Sequence, residues 1–498
     1  MVFGEPAAPA AAVPAPHPDF NGDGLADLVM SGKDTVVVSY PGPQGDEIIR
    51  APGGDKTEFG SAVASGDFNG DGYDDLAIGT PWTSAGTATH SGAVWVYHGG
   101  SQGLLTTATK PTRRVSLRQG SGGIPGKAEK NDQFGYSLAA GRLVGAAYDD
   151  LVVGSIGESI GDKAWAGSVT VIPGSSTGLD PKTSRAIHQG TTGVQGSPES
   201  YDRFGASVAL GDVTGDGRLD LAIGVPGENE TGAVHLLPGS TTGPKGVGST
   251  SVPGSTIGVV ASALSSVDPS SSGYAALMGW SLVVDDLTGD GLADIVAGTP
   301  YAKIGKTEAC GAVVVLRGAA SGVAASRTQI VSQSSTKVAG ACEQGDFWGW
   351  AVTMGDLTGD GRPEVVVGAH GESIGKTLGA GAYTVLRTTT KGITGTGSLG
   401  ISQASPYVAG SPEASDGFGW SLSLRDRNAD GRMDVVVGAP GEVVAGWPAG
   451  AVAQLTSDKN GRPATGSVTV NGTKYADADG KVIWLGYALG VLSAVTAG

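Results

Sequence analysis

The chain has 498 residues and a formal net charge of −16 at pH 7, which excludes the basic surface that phosphate binding needs and so argues against a nucleic-acid partner. No apolar run reaches the roughly 18 residues of a membrane-spanning helix. Apolar residues make up 39% and the 86 glycines follow no collagen period, a composition that fits a folded, soluble, all-β chain with many turns.

The first segment, EPAAPAAAVPAPHP (Glu5 to Pro18), has the composition of a flexible or polyproline-like tether. Residues 1–16 are therefore read as tether and residues 17–498 as one folded domain. The segment has neither a charged start nor a continuous apolar stretch, so it carries no intact export signal, and secretion is an inference from a tether left after cleavage.

From Asp19 onward one motif recurs: DFNGDGLADL at Asp19, DFNGDGYDDL at Asp67, DVTGDGRLDL at Asp212, DLTGDGLADI at Asp286, DLTGDGRPEV at Asp356 and DRNADGRMDV at Asp426. A further copy, starting at Arg142, keeps the frame but has lost most of its acids. Successive starts lie mostly 70 to 75 residues apart, the spacing of a repeat architecture.

Each unit has the same punctuation. Ahead of the motif stands a large apolar residue followed by glycine: Phe59-Gly60, Phe134-Gly135, Phe204-Gly205, Met278-Gly279, Trp348-Gly349 and Phe418-Gly419. After it comes a short apolar run ending in GTP, GSIGE, GVPGE, GTP, GAHGE or GAPGE. A third run then opens on glycine, as in GAVWVYHG, and a fourth falls around a repeated glutamine. Apolar runs of this length between Gly, Pro and Asp read as strands, and nothing has helical period. Four strands in each of seven units predict a seven-bladed β-propeller. The first unit lacks a Phe-Gly strand, and the last is followed by Leu485-Gly486, so the C-terminal strand is expected to complete the first blade and close the ring.

The acidic motif places side-chain oxygens at positions 1, 3, 5 and 9, with glycine at position 6 in all six copies; the copy at Asp426 differs only in having alanine at position 4. Hard oxygens in that pattern suit Ca²⁺. The predicted ligands are Asp19, Asn21, Asp23 and Asp27; Asp67, Asn69, Asp71 and Asp75; Asp212, Thr214, Asp216 and Asp220; Asp286, Thr288, Asp290 and Asp294; Asp356, Thr358, Asp360 and Glu364; and Asp426, Asn428, Asp430 and Asp434. These would form six structural sites rather than a catalytic centre. The competing reading is an Asp/Asn-rich turn capped by its own side chains. Positions 1, 5 and 9 of these loops hold eighteen of the 48 acidic residues, and six divalent ions would bring the formal charge from −16 to −4. In the copy at Arg142, Val144 and Ala146 replace ligands and only Asp150 remains, so no ion is expected; an Arg142–Asp150 ion pair is expected in its place. Cys310 and Cys342 could form one disulfide or remain a pair of free buried thiols, an exported context favouring the bridge.

With the Phe-Gly strand, the acidic loop and the Gly-Ala-Pro turn in order, the chain resembles the FG-GAP repeat family, whose best-known members are the N-terminal propellers of integrin α subunits. The resemblance covers residues 17–498. It implies calcium in the loops of the lower face and a secreted, stand-alone relative without integrin legs. It further implies that aromatics directly after the Phe-Gly pair form a cage on the upper face for a partner's basic side chain. The matching positions are Ser61, Tyr136, Ala206, Trp280, Trp350, Trp420 and Tyr487, of which Tyr136, Trp280, Trp350, Trp420 and Tyr487 are candidates for partner binding; the bland alternative is that they plug the channel as core.

Repeated acids are expected on the same face: Glu129, Glu199, Glu343 and Glu413, then Asp132, Asp202, Asp346 and Asp416, with turns at Glu158, Glu228, Glu372 and Glu442. They read either as caps on backbone amides or as a rim for a basic partner. The expected function is a monomeric, non-enzymatic protein-interaction or adhesion module. The alternative is a lectin that stacks a glycan on Trp82, Trp165 or Trp447. An enzyme comes third: the chain has no nucleophile elbow, P-loop or histidine metal spacing, and its six histidines share no repeat position.

Overall fold

The computed structural model describes residues 18–32, 34–52, 57–104, 114–145, 147–258, 278–476 and 483–489. The tether of residues 1–16, His17 and Ala146 lie outside the described residues.

Seven four-stranded antiparallel sheets succeed one another along the chain, each a meander with its strands in sequence order. Blade 5 is representative: Leu282–Asp285, Asp294–Thr299, Ala312–Leu316 and Thr328–Val331. Blade 1 is the exception in connectivity. Leu28–Gly32, Thr35–Ser39 and Asp46–Arg50 supply three strands, and Leu485–Leu489 supplies the innermost. Met30 faces Leu489 and Gly32 faces Leu485 across that junction. The ring is closed by the strand that the repeat pattern assigns to it.

The second strand of each blade explains why the ring holds together. Asp294–Thr299, Glu364–Ala369 and Asp434–Ala439 are buried at every residue, because a neighbouring blade covers each face. A continuous Val/Ile/Ala run is what such a doubly covered strand needs. The core is correspondingly divided into seven main clusters, one per junction between successive blades. No blade has a core of its own.

The glycines that open the third strands have a specific task. Gly311 forms a parallel bridge with Trp348 of the next blade, and Trp348 N donates to Cys310 O at 3.1 Å. The same bridge joins Gly92 to Phe134, Gly167 to Phe204, Gly232 to Met278, Gly381 to Phe418 and Gly450 to Leu485. A Cβ on Gly311 would lie 2.0 Å from Trp348 O, and its φ of +87° is unfavourable for any side chain. Gly311→Ala should therefore cost about 2–4 kcal/mol; a denaturation midpoint unchanged from the parent would contradict this packing. Serine hydroxyls add to the same junctions. Ser137, Ser207, Ser281 and Ser421 each donate to the carbonyl of the next blade's Phe-Gly glycine, at 2.6 to 3.0 Å.

Candidate functional site

The acidic loops lead into the second strand of each blade, joining it to the first strand in every blade but blade 1, and share one face of the ring. Their first acid curls the loop around itself. Asp67 accepts from Gly70 N at 2.7 Å, Asp71 N at 3.1 Å and Gly72 N at 3.0 Å. Asp19, Asp286 and Asp356 repeat all three bonds, and Asp212 and Asp426 repeat two of them. At position 3, Asn21, Asn69 and Asn428 accept from the amide of the position-5 acid. The hydroxyl of Thr214 donates to Asp220 and that of Thr358 to Asp356. Asp23, Asp71, Asp216, Asp290, Asp360 and Asp430, the acids at position 5, each accept from the amide two residues on.

The position-9 acid does something else: it is buried and fastens backbone. Asp220 accepts from Val213 N, Thr214 N and, across the blade, Gly239 N, at 2.7 to 2.9 Å. Asp434 bridges Arg427 N and Ser457 N, and Glu364 bridges Leu357 N and the Arg387 guanidinium. Asp27 accepts from Phe20 N, Asp75 from Gly99 N and Asp294 from Gly318 N. Burial pushes all of these acids up, Asp27 to about 8 and Asp294 to about 6.

The degenerate loop shows that this fastening is independent of the other acids. Asp150 accepts from Leu143 N at 2.8 Å, Val144 N at 2.5 Å and Gly174 N at 2.9 Å. The expected Arg142–Asp150 pair does not form. Arg142 Nε instead lies 3.7 Å from Asp149 Oδ1, with half its side chain exposed, because backbone amides already occupy both Asp150 oxygens.

The loops differ in the oxygen they leave for an ion. Among the described residues, no three acids or histidines close around one point as a metal cluster. In the first and fifth loops, however, buried oxygens have no hydrogen-bond partner: Asp27 Oδ1, Asp294 Oδ2 and Thr288 Oγ1. Asp19 and Asp23 repel Asp27, and Asp290 and Asp286 repel Asp294, with Arg425 and Arg317 respectively acting against that repulsion. That is a donor set suited to a hard cation. Elsewhere the oxygens have other partners. Asp75 Oδ2 lies 3.0 Å from His98 Nδ1, and the Arg432 guanidinium pairs with Asp430.

The opposite face carries a second repeated device. Gln119 Nε2 donates to Glu158, Gln189 to Glu228, Gln333 to Glu372 and Gln403 to Glu442, at 2.5 to 2.7 Å and always 39 residues apart. Each joins the outer strand of one blade to a turn of the next. Nearby, Asp132, Asp202, Asp346 and Asp416 are buried and cap the amides of Glu129, Glu199, Glu343 and Glu413, which are themselves exposed. Desolvation raises Asp132 to about 6 and Asp202, Asp346 and Glu158 to about 7, with the neighbouring acids adding to the shift. A carboxyl raised on folding binds its proton more tightly in the native state, so stability is lost as pH rises from about 4 through the folded value. In chelator, the melting temperature should therefore be higher at pH 5 than at pH 8. An increase from pH 5 to pH 8 would contradict this assignment.

On the same face, at the axis, the aromatic positions form an arc. Ring centroids lie 4.7 Å apart for Trp280–Trp350, 4.8 Å for Trp350–Trp420 and 6.1 Å for Trp420–Tyr487, running through blades 5, 6, 7 and 1. Tyr136, on blade 3, is set off from this arc by Ala206 on blade 4 and Ser61 on blade 2. The arc is only part buried, and Tyr487 is 38% exposed. Tyr301 and Phe347 back it, at 5.8 Å from Trp280 and 6.3 Å from Trp350.

His370 completes the cluster, and sequence reasoning missed it. Its ring is stacked on Phe347 at 5.1 Å and lies 4.5 Å from Trp350 and 4.7 Å from Trp420. Burial holds it neutral, with its pKa lowered to about 4. The available signal was local: His370 stands where the turns of blades 2, 4, 5 and 7 have Pro81, Pro226, Pro300 and Pro440.

The three loop tryptophans are not brought together. Trp82 is 44% exposed and lies 5.3 Å from His90, Trp165 faces the Arg203 guanidinium at 6.0 Å, and Trp447, 63% exposed, sits in the hairpin of Val443–Val444 and Trp447–Pro448. Cys310 and Cys342 are bonded, with their Cα atoms 5.3 Å apart, which ties the third strand of blade 5 to the loop leading into blade 6.

A closed ring of seven such blades, with Phe-Gly strands at its axis and glycine turns packed beneath them, is a repeat-built β-propeller. The chain carries FG-GAP repeats and forms an integrin α-like propeller: it matches the FG-GAP repeat at residues 59–97, 204–237, 278–316, 348–386 and 418–470. It is similar to phosphatidylinositol-glycan-specific phospholipase D of Bos taurus, 31% identical over 34% of this chain and 19% of that protein. It is also similar to integrin alpha-7 of Rattus norvegicus, 33% identical over 28% of this chain and 12% of the integrin, and to integrin alpha-6 of Homo sapiens, 31% identical over 28% and 12%. The matched region thus spans under a fifth of each relative's length. No described helix is long and apolar enough to cross a membrane.

Proposed function

We propose that this propeller is a secreted, non-enzymatic interaction module that receives a basic side chain of a protein partner on its aromatic face. The observation that carries this reading is the continuous arc of Trp280, Trp350, Trp420 and Tyr487, left part exposed at the axis. Indole faces attract Arg and Lys, and the exposed Glu129, Glu199, Glu343 and Glu413 lend the same face a complementary charge. Ca²⁺ is proposed to brace the opposite face, with the loops of Asp19 to Asp27 and Asp286 to Asp294 as the strongest holders because they retain unpartnered buried oxygens. When bound, the ion would supply charge neutralisation and rigidity, not chemistry. The non-enzymatic assignment is supported by the employment of the repeated acids in backbone caps and glutamine pairs.

The test is binding of an Arg-rich peptide, followed by tryptophan fluorescence. Trp350→Ala and Trp420→Ala should each weaken it at least tenfold, and salt should weaken it further. Unchanged affinity in both variants would overturn the assignment. A second reading, glycan binding, is favoured by the exposure of Trp447 and Trp82; there, a simple saccharide would compete and Trp447→Ala would abolish the signal.

A further inference from the structure

The channel beneath the aromatic arc contains a cavity of about 340 Å³, at the small end of ligand-sized pockets. Its walls are the innermost strands of blades 2 to 6, and the side chains of Val63, Leu138, Val208, Leu282, Val284 and Met354 make them largely apolar. At the end nearest the acidic loops stands Asp285.

Asp285 breaks the repeat. The residue before the first position of the loop is glycine in four other copies, at Gly66, Gly141, Gly211 and Gly355, proline at Pro18 in blade 1 and arginine at Arg425 in blade 7. Arg425 is buried beside Asp27 and Asp434 and does not line the cavity. The carboxylate of Asp285 thus meets open channel rather than an opposing side chain. One of its oxygens accepts from Asp286 N at 2.8 Å, and among the described residues it forms no ion pair. The other two acids at this end are already employed: Asp212 accepts from Asp216 N and Gly217 N, and Asp286 from Gly289 N, Asp290 N and Gly291 N. Among the described residues, no lysine or arginine lines the cavity.

We propose that this channel is a binding site for an alkylammonium group, with the ammonium on Asp285 and an apolar stem against the strand walls. A carboxylate at one end of an apolar cavity selects for a ligand that carries both features, because each half of it desolvates against its own complement. A compact volume limits the stem to a few carbons, the size of n-hexylamine or of a lysine side chain. The site is separate from the aromatic face, so its failure would leave the reading of that face untouched.

The test is calorimetric titration of the full chain, in buffer containing calcium, with n-hexylammonium chloride and with n-hexanol. Saturable one-site binding of the amine is expected, with the alcohol at least tenfold weaker. Asp285→Asn should reduce amine affinity at least tenfold. Ala209→Phe, which fills the cavity from blade 4, should abolish binding and gives an independent arm if the Asn variant folds poorly. Equal binding of amine and alcohol, unchanged affinity in Asp285→Asn, or absence of saturation would each overturn the proposal.

Discussion

Ending the chain after Ala476 should abolish cooperative folding. The lost strand, Leu485–Leu489, is the innermost of blade 1, and its removal exposes the edge of Leu28–Gly32 along its length. Ile483, Leu485 and Leu489 are at most 4% exposed and share one cluster with Leu28, Met30, Val37, Val436 and Val452. Burying three such side chains contributes about 5–8 kcal/mol, against a total stability of about 5–15 kcal/mol for a domain. The bond from Leu485 N to Ala449 O, which ties blade 7 to blade 1, goes with them. Thermal melts by circular dichroism and size-exclusion profiles would report the outcome: no sigmoidal transition, and soluble aggregates from the bare edge. A truncated chain that melts within a few degrees of the full one would mean that closure contributes little.

Asp150→Ala should be among the most destabilising substitutions in the acidic-loop face, although its loop has lost the other acids. Three backbone amides lose a charged acceptor in a buried site, and the expected cost is about 3–5 kcal/mol. That loss should be the same with calcium and with chelator. Asp290→Ala, at position 5 of the fifth loop, should behave in the opposite way, costing little in chelator and more when calcium is supplied. Urea denaturation of both variants under both conditions separates fastening from ligation. If Asp150→Ala proves harmless, the position-9 acids are not the staples they are taken for.

The propeller was legible because glycine marks every close approach, and such approaches recur at a fixed interval. Phe134-Gly135 and Gly92 can be read from the chain as punctuation; that they meet each other across a blade junction needs coordinates. The acidic loops were legible as a motif but not as a division of labour. Spacing assigns the same task to Asp19 and Asp27, whereas one folds its loop and the other is buried under it. Arg142 was assigned to Asp150 by charge, and the error has a plain cause: backbone amides compete for the same oxygens and are not visible in residue types. Histidines share no repeat position, which hides His370: blade 6 alone puts a histidine in this turn, where it packs on Phe347 and Trp350 of the same blade and on Trp420 of the next. The glutamine and glutamate repeats were both visible, but each pair lies in different blades, so their contact could not be read from either alone.

Those glutamine pairs are not evenly spread around the ring. Among the described residues they span the junctions of blades 2 and 3, 3 and 4, 5 and 6, and 6 and 7, and none is seen where a Thr-Pro turn replaces the glutamate, as at Thr80 and Thr299. The closing junction has its own fastening instead, Lys474 and Tyr475 on Asp46 at 2.6 and 2.8 Å. The molecule is thus two arcs of three blades with blade 1 as a keystone. Slow amide exchange would then persist within each arc, while the seams between blades 1 and 2 and between blades 4 and 5 breathe first. A ring built from near-identical units would, on this account, open at defined places rather than anywhere along its circumference.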